Sequence, residues 1–202
     1  MSLFKKFFGQ GSDAVNEERS KGDLHTEYKT DLTAPPDERF TFNFKKNGGK
    51  FLYCENLDEV KEQFENILEE NDWFECEAMC FEPRLFHLLD ENKLSYNKPT
   101  QPKFLLASCE NLIAHDGSIM LSYNQTKHFR PDELPANIVI LATTSQITES
   151  SNDGLRLIKK KYGKDIPSNI TAIRYFEQAK EENFNTYGSA AKNLYLLLLE
   201  DL

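Results

Sequence analysis

Two segments of this 202-residue chain carry side chains whose types and spacing could do chemistry. The first, residues 113–121, reads I-A-H-D-G-S-I-M-L and sets Gly117 between the carboxylate of Asp116 and the hydroxyl of Ser118. A glycine there lets backbone N–H groups approach an anion, with the Ser118 hydroxyl as a further donor. Asp-Gly between apolar runs is also a strong hairpin signal, because glycine accepts a positive φ, and on spacing alone the hairpin is the favoured reading. The second segment, residues 127–135, reads K-H-F-R-P-D-E-L-P and feeds an apolar run that begins at Asn137. Arg130 could hold a carboxylate or phosphate through two parallel hydrogen bonds, or pair at the surface with Asp132 or Glu133. If the chain is an enzyme, Glu110, Asp116 and His128 are its candidate acid–base groups.

Several familiar chemistries lack their residues. There is no G-x-G-x-x-G for a dinucleotide, no G-x-x-x-x-G-K-[ST] for a nucleoside triphosphate and no G-x-S-x-G nucleophile elbow. The four histidines, His25, His87, His115 and His128, show no H-x-x-x-H spacing. Cys54, Cys76, Cys80 and Cys109 form no C-x-x-C, so reduced thiols packed in a core are expected, with no metal, iron–sulfur cluster or other cofactor.

The elements that must position these groups follow from the pattern of polar and apolar residues along the chain. Residues 10–38 are polar and end in Ala34-Pro35-Pro36-Asp37, a composition that cannot offset its ordering entropy. Residues 1–38 therefore read as a flexible arm, and 39–202 as one α/β domain. The arm's tip holds Leu3, Phe4, Phe7 and Phe8 at helical spacing, enough for a short docked helix and too little for a lasting membrane anchor. Phe40 to Phe44 alternates aromatic and polar side chains, Asn47-Gly48-Gly49 supplies a turn, and residues 50–55 follow as a strand. Asn56 caps a helix whose Leu57, Val60, Phe64, Ile67 and Leu68 share a face. Residues 74–81 read as a strand with Phe74, Cys76, Ala78 and Cys80 on one side, and Pro83 opens a short helix. Apolar runs at 103–107, 112–114, 119–123, 137–143, 169–174 and 194–199 read as further strands, with a helix ending at Tyr162-Gly163 among them. Strands alternating with helices predict a mostly parallel, twisted sheet with helices on both faces.

The order I-A-H-D-G-S-I-M-L, then R-P-D-E-L-P-A-N-I-V-I-L-A, then N-I-T-A-I-R, then Y-G-S-A-A-K-N-L-Y-L-L-L-L-E-D resembles the lactate-utilisation (LUD) domain family, as a divergent member of its LutC/YkgG-like branch. The likeness runs from about Phe40 to the C-terminus. It matches Asp116, Gly117 and Ser118 to the family's first signature and Arg130, Leu134 and Pro135 to its second; Ile170 and Thr171 begin the third, and Gly188 stands in the last. Where the family has Gly-Pro-Ser, this chain has Ala172-Ile173-Arg174, so Arg174 brings a new cation to that wall. The resemblance implies an architecture like that of sugar-phosphate isomerases (NagB, RpiA) and coenzyme-A transferases. It also implies a non-redox accessory role in oxidising lactate or another 2-hydroxy acid beside iron–sulfur partner subunits, with a small anion bound by Asp116, Gly117, Ser118, Arg130 and Arg174. The rival readings are a stand-alone enzyme on a phosphorylated or acyl small molecule, and an interaction module with a degenerate pocket.

The formal charge of −9 disfavours nucleic acid and anionic lipid. No stretch approaches the roughly 18–20 apolar residues of a membrane span. The N-terminus lacks the apolar core of a secretory signal, so the cytoplasm is the expected compartment. A homo-oligomer is compatible with the sequence.

Overall fold

The computed structural model describes residues 34–174 and 192–201; the tip helix at 1–9, His25 and the Tyr187-Gly188-Ser189 signature lie outside them. Helix α1 spans Pro36–Lys46, β1 Lys50–Cys54 and α2 Leu57–Glu70. Strand β2 (Ala78–Met79) is followed by a 3₁₀ turn at Pro83–Leu85 and α3 (Phe86–Glu91). Then come β3 (Phe104–Ala107), β4 (Asn111–Ile113), β5 (Ser118–Leu121), α4 (Tyr123–Thr126) and β6 (Asn137–Thr143). The chain closes with β7 (Ile147–Thr148), α5 (Ser151–Tyr162), β8 (Thr171–Ile173) and β9 (Asn193–Leu199).

Five strands form one wholly parallel sheet in the order β1-β9-β6-β3-β2. One of its faces, with Phe104, Leu106, Val139, Tyr195 and Leu197, packs on Val60, Phe64, Ile67 and Leu68 of α2 and on Leu85, Leu88 and Leu89 around α3. Trp73 stacks on Phe104 there at 4.9 Å between ring centres. The opposite face, with Leu105, Ile138, Ile140, Leu196 and Leu198, meets Phe40 and Phe44 of α1 and a second sheet. Burial on both faces explains why β6 and β9 read as continuous apolar runs. The mixed α/β class, the mostly parallel sheet and the helices on both of its faces are as expected.

The second sheet runs β7-β4-β5-β8, with β4 and β5 an antiparallel hairpin and β7 parallel to β4. Its inner face gives Leu112, Ala114, Ile119 and Leu121 to the shared core. Its outer face puts Ile113 and Met120 against Ile158 of α5. The layers therefore run helices, parallel sheet, mixed sheet, helix. Of this second sheet's strands, β4, β5 and β8 were legible one by one; β7 was not, and neither was their assembly into a separate layer.

Two local readings need correction. Phe40 to Phe44 is helical, and α1 begins at Pro36, inside the stretch read as arm. A proline in the first turn, Asp37 and Glu38 beside it, and Lys45 and Lys46 at the far end suit a helix dipole. Phe40 and Phe44, one turn apart, stack at 5.5 Å. The strand expected over 74–81 shrinks to Ala78–Met79 with an isolated bridge at Glu77, because Asp72 and Glu75 have left-handed φ of 53° and 59°. Ala78 and Cys80 enter the core as expected, whereas Phe74 stays half exposed.

Asn56 caps α2: its side chain accepts from the Glu59 N–H at 3.0 Å, while the Glu59 carboxylate accepts from the Glu55 N–H at 2.8 Å. Asn56→Ala is expected to cost about 1 kcal/mol of stability, and a denaturant melt with an unchanged slope checks it.

Candidate functional site

The turn at Asp116-Gly117-Ser118 is the tip of the β4–β5 hairpin, and its donors are used within the protein. Asp116 Oδ1 accepts from the Ser118 N–H at 3.0 Å and the Ser118 hydroxyl at 2.7 Å. The Gly117 N–H donates to the Ile113 carbonyl at 2.9 Å. Gly117 has φ +70°, and a Cβ there would lie 2.4 Å from the Phe44 nitrogen and 2.5 Å from the Asn43 carbonyl carbon. Asn43 of α1 and Asn47, its C-cap, donate to the Ala114 and Asp116 carbonyls at 2.9 and 2.7 Å. The missing side chain thus admits a helix.

Arg130 sits elsewhere. Its guanidinium is 3.5 Å from the Glu133 carboxylate and 72% exposed, and its backbone N–H donates to the same carboxylate at 2.8 Å. This is the surface pair named as the alternative. Beside it Phe129 stacks on Phe81, just past β2, and the exposed His128 stacks on Phe129. The hairpin tip rests on α1, which packs on β1. β1 and β2 are the two outer strands of the parallel sheet, about 19 Å apart by strand spacing. The expectation that Asp116, Gly117, Ser118 and Arg130 line one concavity is therefore not met. Arg174, exposed, follows β8.

Glu110 is placed differently. Its side chain is fully buried between β3 and β4. Oε1 accepts from the Ser122 hydroxyl at 2.8 Å, Gln125 Nε2 at 3.2 Å and the Tyr162 hydroxyl at 3.0 Å; Oε2 accepts from Lys161 Nζ at 3.0 Å. Burial pushes this carboxyl up, but the Ser122, Lys161 and Gln125 contacts outweigh it and hold it below the usual range. An ionised carboxylate with both oxygens engaged is a poor proton acceptor. Its effect is to hold the end of α5 against α4 and the hairpin.

Glu110 borders a cavity of about 560 Å³ whose walls also include Arg84, Thr143, Gln146, Lys160 and Lys161. The cavity lies where β3 and β6 end, the side on which open α/β sheets take ligands. The chain leaving β2 turns toward the helical face, into α3, while the chain leaving the neighbouring β3 turns toward the second sheet, into β4. Diverging exits from adjacent strands open a crevice.

Glu82, Arg84 and Ser108 bridge that crevice. Glu82 accepts from the Ser108 N–H and hydroxyl, each at 2.7 Å, and from Arg84 at 2.9 and 3.2 Å. Arg84 Nη2 also donates to the Ser108 hydroxyl. These bonds orient a guanidinium whose side chain is still 66% exposed. Across the cavity Lys160 has no partner among the described residues. On the β6 side Asp201 accepts from the Thr144 hydroxyl at 2.8 Å and from the Ser145 N–H and hydroxyl at 2.9 and 2.6 Å, which fixes the loop after β6 to the end of β9.

Sequence spacing gave no hint of Arg84 or Ser108, which belong to no motif. Their signal is position: each lies shortly after a strand of the parallel sheet. Lys160 and Lys161 belong to the basic last turn of α5, a placement that by itself points to the helix dipole and not to a ligand.

All four cysteines are free. Burial pushes the thiols of Cys54 and Cys80 up to about 12 and about 11, and raises Cys109 as well. Such thiols are weak nucleophiles at neutral pH. Among the described residues no helix is long and apolar enough to cross a membrane.

No family model and no curated protein matches this chain in sequence. Its fold is similar to the crystal structure of a DUF162 family protein from Deinococcus radiodurans, with a TM-score of 0.59, 82% of this chain and 96% of that one covered, and 11% identity. DUF162 is the older name of the LUD domain family. At this identity the likeness concerns architecture: the chain shares the α/β fold of that DUF162 protein.

Proposed function

We propose that this protein is a LUD-like binder of a small anionic ligand, a non-redox accessory subunit that works in the cytoplasm beside iron–sulfur partners in the oxidation of lactate or a related 2-hydroxy acid. The observation that carries the anion-binding part is the cavity at the ends of β3 and β6, with Arg84, Lys160 and Lys161 in its walls. Arg84 is braced by Glu82 and Ser108, so its geometry is set before a ligand arrives, which lowers the ordering cost of binding. Glu110 acts as a positioning residue, because it holds Lys161 in place.

The accessory role rests on the resemblance to the LUD family. Deleting the gene is expected to slow growth on lactate while leaving growth on glucose unchanged, and a tagged chain is expected to recover iron–sulfur proteins. Normal growth on lactate with no such partner recovered would contradict the role. For the site, a saturating small carboxylate at ~100-fold over Kd should add about 2.7 kcal/mol of stability. Arg84→Gln is expected to weaken binding at least about tenfold, the scale of one lost charge-assisted hydrogen bond.

A further inference from the structure

We infer that the ligand is an amphipathic anion, with its charged head beside Arg84 and an apolar tail in a second cavity next to the first. This rests on the anion-binding reading above and narrows it to a class of ligand.

The second cavity, of about 190 Å³, is walled mostly by Leu57, Val60, Leu85, Leu88, Leu141 and Leu199. It shares Arg84, Thr143 and Gln146 with the larger cavity, so the two adjoin at these residues. The larger compartment carries the cationic side chains of Lys160 and Lys161, and the smaller is lined mostly by apolar ones. A ligand that fills both must carry its charge at one end. Lactate, with a single methyl group, would leave the apolar compartment without contacts, and space lined on one side only forfeits dispersion attraction. Cavities of roughly 300–1,000 Å³ enclose ligands much larger than lactate.

Leu57 adds an independent observation. It is 59% exposed, the highest value among the large apolar side chains described, although it opens a capped and well-formed helix. Single exposed leucines are ordinary. This one stands in the wall of the apolar cavity, where a tail would cover it.

The test is calorimetry with lactate, 2-hydroxybutyrate, 2-hydroxyhexanoate and 2-hydroxyoctanoate, with 1-hexanol as a tail lacking the acid head. Kd is expected to fall by about fourfold per added methylene until the cavity is full. Hexanol is expected to bind at least about tenfold more weakly than 2-hydroxyhexanoate. Val60→Phe, which adds bulk in the wall of the apolar cavity, should flatten the dependence on chain length. Leu57→Gln, at an exposed position where folding tolerates the change, should reduce it, whereas Arg84→Gln should weaken every acid and keep the slope. An affinity independent of chain length, still sensitive to Arg84, would overturn the inference and leave the anion site standing. Hexanol binding as tightly as its acid would overturn it too. No binding by any of the acids would overturn the anion reading itself.

Discussion

Glu110→Ala is expected to lower the unfolding free energy by about 3 kcal/mol. Removing the carboxylate takes away the acceptor of the Ser122 hydroxyl, the Gln125 amide and the Tyr162 hydroxyl. Lys161 suffers less, because its side chain is 58% exposed and can turn to water. The cost therefore falls at the low end of what breaking a buried ion pair brings. Glu110→Gln, which restores the volume and one acceptor, should cost about half as much. The pH dependence has a definite sign. This carboxyl titrates lower when folded than when unfolded, so its contribution is complete above the unfolded pKa of roughly 4.3 and fades as pH falls through its folded value. Urea melts from pH 7 to pH 3 should show wild type converging on the alanine variant at the acid end. A gap between them that stays constant across that range would contradict the assignment.

Gly117→Ala is expected to cost about 3 kcal/mol or more. Part of this is conformational, since φ of +70° disfavours any Cβ. The larger part is steric: the atoms within 2.5 Å of the new methyl belong to the backbone of α1 and cannot swing aside. Gly163→Ala supplies the control. Gly163 also has a positive φ, +59°, but nothing lies within 4 Å of its Cβ, so only the conformational cost of about 1 kcal/mol remains. The difference between the two melts measures how closely α1 docks on the hairpin. Equal costs would mean that the hairpin tip is not held against the helix.

The two substitutions mark where the sequence was readable. The hairpin at Asp116-Gly117 was legible because its turn chemistry is local. So were β6 and β9, because burial on both faces demands unbroken apolar runs. Helix α1 was misread because Phe40, Phe42 and Phe44 alternate like a strand, while the proline in its first turn and the four-residue spacing of Phe40 and Phe44 carry the helical signal. The site itself was mostly hidden. Arg84, Ser108, Thr143 and Lys160 lie far apart in the chain and share no spacing; only the parallel pairing of β2, β3 and β6 brings three of them to the same end of one sheet. Glu110 was singled out for its type, but its partners come from α4 and α5, which no local pattern ties to it. The Asp-Gly-Ser and Arg130 segments attracted attention for chemistry that their own neighbours already satisfy.

The most direct test sets Arg84→Gln beside Arg130→Ala and measures the affinity of each for 2-hydroxyhexanoate by calorimetry in low salt. The expected result is a loss of at least about tenfold for Arg84→Gln and a change within about twofold for Arg130→Ala, whose guanidinium is a solvated surface pair. The opposite pattern, with Arg130→Ala abolishing binding and Arg84→Gln leaving it intact, would contradict a site at the ends of β3 and β6.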